Sequence, residues 1–155
     1  KMQSFYLREC YLNNRLCRPD ELELAGYPID LQRIKQPLYC VSAVDDHITP
    51  WKQVYRINTL VKGPVRFTLT TSGHIAGVVN PPVDPPKRSF WAGKGNASMD
   101  PEKWQAKLKQ QPGTWWPDWI EWLGKRCGES VNPPRIGSRK YPALADAPGT
   151  YVMET

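Results

Sequence analysis

Val65-Arg66-Phe67-Thr68-Leu69, running into Thr70-Thr71-Ser72-Gly73-His74-Ile75-Ala76-Gly77-Val78-Val79-Asn80-Pro81-Pro82, is the stretch on which the fold turns. Its opening residues have the β-branched and aromatic content of a strand. They lead to one of only two histidines in 155 residues. Gly73 stands just before that histidine, which predicts a sharp turn lifting the imidazole off the end of a sheet. Upstream, Pro37-Leu38-Tyr39-Cys40-Val41-Ser42-Ala43-Val44 is a short apolar run opened by proline and reads as a buried parallel strand. It ends in Asp45-Asp46-His47-Ile48-Thr49-Pro50-Trp51. Trp51, Val54, Tyr55 and Val61 then fall on a helical stripe, predicting a helix over about 51–62. The unit is strand, acid, helix, strand, histidine.

Functional groups in open α/β sheets collect beyond the carboxyl ends of the strands. Two parallel strands expected at about 38–44 and 65–71 would therefore place Asp46 and His74, 28 residues apart in sequence, at one rim. A hydrolase triad of the α/β type runs nucleophile, acid, histidine along the chain. Asp46 and His74 supply the last two members in that order. The fold class expected is α/β, with parallel strands and flanking helices.

Composition narrows the function. A formal net charge of +6 admits a polyanionic partner. The basic residues are scattered, however, and no nucleic-acid-binding motif accompanies them, so no nucleic-acid partner is expected. Cys10, Cys17, Cys40 and Cys127 form no CxxC pair and have no neighbouring histidine, so neither a zinc site nor a disulfide framework is expected. Reduced thiols in a cytoplasmic protein are the simplest reading. No apolar run reaches membrane-spanning length. An α/β core of this type needs roughly 200 residues or more, and the chain opens on Lys1-Met2-Gln3-Ser4-Phe5 in mid-pattern. The expectation is the C-terminal piece of a longer protein.

Elsewhere, Phe5, Leu12 and Leu16 recur at helical spacing until Pro19. Residues 21–31 read as a short strand and turn around Gly26. Asn80 to Pro86 is too rich in proline for helix or central strand. A helix is expected from Pro101 through Trp104 and Leu108, with Asp100 as its N-cap. A second is expected at about 117–126, in the region that carries four of the seven tryptophans, and reads as a helix clamped onto the sheet. Residues 131–155 read as an extended tail.

Several of these pieces share a resemblance. Ser72-Gly73-His74-Ile75-Ala76-Gly77-Val78-Val79-Asn80-Pro81-Pro82, Asp46-His47-Ile48-Thr49-Pro50-Trp51, Trp115-Trp116-Pro117-Asp118-Trp119 and Ala147-Pro148-Gly149-Thr150-Tyr151-Val152 together resemble the C-terminal part of polyhydroxyalkanoate synthases. Phe5-Tyr6-Leu7-Arg8, Tyr11-Leu12-Asn13-Asn14 and Gly26-Tyr27-Pro28-Ile29-Asp30-Leu31 fit the same family, in order, over nearly the whole chain. The Ile75-Ala76-Gly77 wording looks most like the class I, single-subunit type that favours short-chain monomers.

The resemblance implies an α/β-hydrolase-like catalytic domain with a cap and a Cys-His-Asp triad. Asp46 would be the triad acid and His74 the triad histidine. His47 would line the substrate channel, and the nucleophilic cysteine would lie upstream. Residues 1–36 would close the cap and return to the core, 37–130 would complete the core, and 131–155 would form the tail. The substrate implied is a 3-hydroxyacyl-CoA, with no further cofactor. The implied partners are the growing polyester, the surface of a cytoplasmic polymer granule, the upstream remainder of the synthase and a second copy in a homodimer. Two other readings stand beside it: an esterase or polyester depolymerase with an upstream serine nucleophile, and a non-catalytic granule-binding module.

Overall fold

A computed structural model describes residues 1–154; the last residue of the expected tail, Thr155, lies outside the described residues. The chain divides into two compact units, Lys1–Leu123 and Gly124–Thr155.

The first unit opens with α1 (Met2–Tyr6), which continues as π-helical turns over Leu7–Leu12 and, after a left-handed Asn14, a 3-10 turn at Arg15–Cys17. The single helix expected here is thus three short pieces. Glu9, buried among them, takes Arg15 at 2.7 Å. The expected strand and turn is the hairpin β1 (Leu22–Leu24) and β2 (Tyr27–Ile29), turned through Ala25 and Gly26, both at positive φ.

The main sheet carries the rest. β3 (Leu38–Ala43) pairs in parallel with β4 (Val65–Thr70), Leu38 opposite Val65 and Ala43 opposite Thr70. This is the expected pair, within a residue at the ends. The expected helix between them is instead two single turns, α2 (Trp51–Val54) and α3 (Ile57–Leu60). The break follows Tyr55, whose carbonyl accepts both the Asn58 amide and the Asn58 side chain. Asparagine competes with the helix for backbone partners. The apolar stripe survives the break, because Trp51, Tyr55 and Val61 are all buried.

α4 (Ala76–Val79) follows β4 and ends at Asn80, a left-handed residue. The chain then returns as β5 (Ser89–Lys94), antiparallel to β4, a strand that the proline-rich approach concealed. α5 (Pro101–Ala106) begins under the expected cap, with Asp100 Oδ1 accepting the amides of Glu102 and Lys103. β6 (Gln111–Pro112) pairs with β5, and α6 (Trp116–Gly124) follows it. The sheet order β3-β4-β5-β6 makes the architecture α/β with a mixed sheet.

One face of this sheet holds the core. Phe67 is fully buried and meets Tyr55 at 5.0 Å and Trp104 at 5.3 Å, both edge-on. Edge-to-face contacts of this kind add to the area the rings bury. Val65 and Leu69 flank Phe67 on the same face by strand alternation. β3 is less buried than its sequence suggests, since only Ser42 and Ala43 are fully covered. It is an edge strand among the described residues, with β4 on one side only.

The opposite face carries Tyr39, Arg66 and Thr68, and α6 sits on it. Asp118 accepts a two-pronged bond from Arg66 through Nε, at 2.7 Å, and Nη2. The Tyr39 hydroxyl also donates to Asp118, at 2.8 Å, and accepts from Thr68. Burial alone would raise the Asp118 carboxyl; Arg66 and Tyr39 outweigh it and hold the group below its usual value. Trp115 and Trp122 lie against the Tyr39 ring, whereas Trp116 and Trp119 do not reach it and are 38% and 36% exposed. Half of the tryptophan cluster therefore clamps the sheet.

The second unit is mostly irregular. A turn at Ser138–Tyr141, with the Tyr141 amide on Ser138 Oγ, and a 3-10 turn at Tyr151–Met153 are its ordered features.

Candidate functional site

Asp46 and His74 meet at the carboxyl ends of β3 and β4. The parallel register ends with Ala43 beside Thr70, and pairing continues past it: the Val44 amide bonds Thr70 O and the Asp45 amide bonds Ser72 O. The two loops therefore leave the sheet tied together. Ser72, not Gly73, takes the left-handed turn, with φ of 81°. A Cβ at Gly73 would find only Asp45 O at 3.6 Å, an ordinary contact. The expected role of Gly73 thus passes to its neighbour.

His74 Nδ1 lies 2.8 Å from Asp46 Oδ2. The two side chains differ sharply in exposure, 2% for Asp46 and 42% for His74. Asp46 Oδ1 accepts the amides of Ile48 and Thr49, at 2.9 and 2.8 Å. Oδ2 takes the Thr49 hydroxyl at 2.7 Å as well as His74. Burial by itself pushes this carboxyl up; the Thr49 amide and hydroxyl, His74 and the Ile48 amide outweigh it and hold the group well below the usual carboxylate range. The carboxylate is therefore ionised and acceptor-only, which favours a hydrogen on Nδ1; in the neutral ring of that tautomer Nε2 bears the lone pair. An exposed imidazole whose far nitrogen is basic and whose near nitrogen is held by a buried carboxylate can take a proton from an incoming group and return it.

α4 supports the histidine loop. The Gly77 amide bonds Gly73 O, and Thr70 Oγ1 donates to Gly77 O at 2.9 Å. A Cβ on Gly77 would stand 2.7 Å from Ala43 Cβ and 2.9 Å from Thr71 O, so only glycine fits. The indoles of Trp115 and Trp116 donate to Val78 O and Val79 O, each at 2.9 Å. Through these bonds α6 braces the segment that follows His74.

His47 is exposed and makes no hydrogen bond to the pair. The cysteines are all free, and burial pushes the Cys40 thiol up to about 11, the reverse of what a nucleophilic thiol requires. Among the described residues no three His, Cys, Asp or Glu side chains gather as a metal site would need. Sequence reasoning overlooked two partners. One is Thr49, which an acid three residues before a hydroxyl at a helix entry would have flagged. The other is the Arg66–Asp118–Tyr39 cluster, which joins residues far apart in sequence and has no local signal.

Comparison with known proteins gives this rim a context. The chain is 43% identical over 149 residues to poly(3-hydroxyalkanoate) polymerase 1 of Ectopseudomonas oleovorans, covering 96% of this chain and 26% of that protein. It is 41% identical over 149 residues to the poly(3-hydroxyalkanoate) polymerase subunit PhaC of Cupriavidus necator, covering 96% and 25%. This chain is a homologue of the poly(3-hydroxyalkanoate) polymerases. The PhaC subunit of Rhizobium etli matches it as well, 43% identical over 151 residues, covering 97% of the chain and 23% of that polymerase. No family model matches the chain. The chain spans about a quarter of the length of the polymerases it matches. The matched segment takes in the whole rim with both its loops, since all but a few residues of the chain are aligned. Among the described residues no helix is long and apolar enough to cross a membrane.

Proposed function

We propose that this chain is the C-terminal part of the catalytic domain of a polyhydroxyalkanoate polymerase with an α/β-hydrolase-like fold. In this reading Asp46 and His74 are the acid and base of a Cys-His-Asp triad. The cysteine comes from outside residues 1–155, and the substrate is an (R)-3-hydroxyacyl-CoA. The observation that carries the reading is the 2.8 Å contact between His74 Nδ1 and Asp46 Oδ2, made by two residues within the homologous segment.

The chemistry follows from the proton positions. His74 Nε2 takes the thiol proton, and the thiolate attacks the thioester carbonyl. The carbon–sulfur bond to CoA breaks, and CoA leaves with the proton returned by the imidazolium. The 3-hydroxyl of a neighbouring unit then attacks the acyl-cysteine, forming the ester and releasing the thiol, and gives up its own proton to a base at this rim. Asp46 orients the imidazole and supports its charged form. His47, exposed beside the pair, is the remaining candidate for a substrate contact. The growing polyester, the granule surface in the cytoplasm, the rest of the polymerase and a second copy are the partners of the whole protein in this reading. The 155-residue chain alone releases no CoA.

The test is acyl-CoA turnover by the full-length polymerase. His74→Ala abolishes turnover, and Asp46→Asn lowers it by roughly 10³–10⁴, the scale seen for triad acids. Asp45→Asn and His47→Gln have far milder effects. Equal damage from Asp45→Asn and Asp46→Asn, or near-parent turnover by His74→Ala, sinks the assignment.

A further inference from the structure

We propose that Thr49 is a positioning residue for the Asp46–His74 pair: its hydroxyl occupies the second acceptor site of Oδ2, beside His74, and by sharing that oxygen it limits how tightly it holds the imidazolium. The proposal rests on the reading of the pair given above and adds a residue that the resemblance does not assign.

The argument is one of hydrogen-bond capacity. A carboxylate oxygen offers about two lone-pair directions. Asp46 Oδ1 is filled by two backbone amides, and Oδ2 by one hydroxyl and one imidazole. The amides of Ile48 and Thr49 are successive donors along the turn. The next donor in line would be residue 50, which is proline and has no N–H. The Thr49 hydroxyl, at 2.7 Å, supplies the bond the backbone cannot. The two amides hold the carboxylate through Oδ1, and the hydroxyl shares Oδ2 with His74.

The position also makes the hydroxyl separable from the fold. Thr49 is exposed, and its amide bond to Oδ1 survives any side chain but proline. Thr49→Val therefore removes a single donor from a single oxygen. Oδ2 then keeps more negative charge and favours the imidazolium, so less free base is present at a given pH. Among the described residues, His74, from the loop after β4, is the titratable group bonded to this carboxylate, and Asp45 and His47 are its exposed sequence neighbours.

The experiment is the pH dependence of kcat/KM for the full-length polymerase with Thr49→Val, Thr49→Ser and Thr49→Ala, beside His74→Ala, Asp46→Asn, Asp45→Asn and His47→Gln. The expected result for Thr49→Val is an acid limb moved to higher pH by roughly half a unit or more. Turnover at neutral pH falls severalfold and recovers at alkaline pH. Thr49→Ser, which keeps the hydroxyl, restores the parent profile. A role in folding alone would lower the rate at every pH without moving the limb. If Thr49→Val fails to accumulate, Thr49→Ala carries the same expectation. An unshifted limb in both valine and alanine variants, with His74→Ala and Asp46→Asn inactive, overturns the role of Thr49 alone. Near-parent turnover by His74→Ala overturns the underlying pair.

Discussion

Deleting the Asp118 carboxylate tests whether α6 is locked to the sheet by charge or merely lies on it. Asp118→Ala removes two charge-assisted bonds from Arg66 and one from the Tyr39 hydroxyl. Hydrogen bonds to charged groups contribute about 1.5–3 kcal/mol each when buried. The Asp118 side chain is 16% exposed, but that of Arg66 is 33% exposed and regains water once released. Discounting for that screening leaves a loss of about 2–3 kcal/mol in total. For a unit of this size the melting temperature falls by roughly 6–10 °C. Urea unfolding followed by tryptophan fluorescence reads the change directly, since Trp115 and Trp122 lie against Tyr39. Arg66→Met and the double variant complete a cycle, with an expected coupling of at least about 1 kcal/mol. A loss within about 0.5 kcal/mol of zero for Asp118→Ala, or strict additivity with Arg66→Met, would refute the locking argument.

Three further outcomes are expected. Gly77→Val, whose Cβ would collide with Ala43 Cβ and Thr71 O, costs about 3 kcal/mol or more and displaces the His74 loop, read as lost stability in urea and lost turnover; a silent variant would contradict the steric reading. Ser42→Ala leaves stability unchanged or raises it by about 1 kcal/mol, because the buried Ser42 hydroxyl has no hydrogen-bond partner among the described residues; a loss in the same urea titration would show that it has one. Acid sensitivity follows from Asp46 and Asp118, both held below their usual values. Their unfolded carboxyls protonate first, near about pH 4, so the stability they confer is present above that pH and is lost as pH falls toward the folded values. The urea midpoint is expected to hold from pH 7 to about 5 and to drop below about 4, less steeply in Asp118→Asn; an equally steep drop in that variant removes Asp118 from the cause.

What the sequence disclosed was whatever had a local pattern. The parallel pair was legible because Leu38–Ala43 is a compact, mostly apolar run opened by proline and Val65–Thr70 is rich in β-branched and aromatic residues. The rim followed from them, since parallel strands put their following loops at one end; His74 is the one histidine of its loop, whereas the choice of Asp46 over Asp45 came from the resemblance. Asp100 was legible as a cap because proline follows it. β5 was hidden because Ser89–Lys94 shows no clear alternation and follows a proline-rich stretch, so its strand character comes from pairing with β4. The break between α2 and α3 depends on Asn58 bonding back to Tyr55, a choice made only once Tyr55 is buried against Phe67. Ser72 at positive φ has no local signal, because a glycine, the residue that ordinarily takes such a turn, stands beside it. Thr49 was passed over for a plainer reason: beside an aspartate and a histidine, a hydroxyl draws no attention until its distance is measured.

The two ends of the main sheet differ in what they offer to other chains. β6 is two residues long and ends in Pro112, which cannot donate to a further strand. β3 has six residues and, among the described residues, no partner on its outer side. An exposed edge of that kind is a template for strand addition. A sheet open at both edges can grow without limit, whereas one stopped at proline can be extended from one side only. In the reading proposed above, the β3 edge is where the remainder of the polymerase adds its strands, so the sheet is extended from β3 and not from β6.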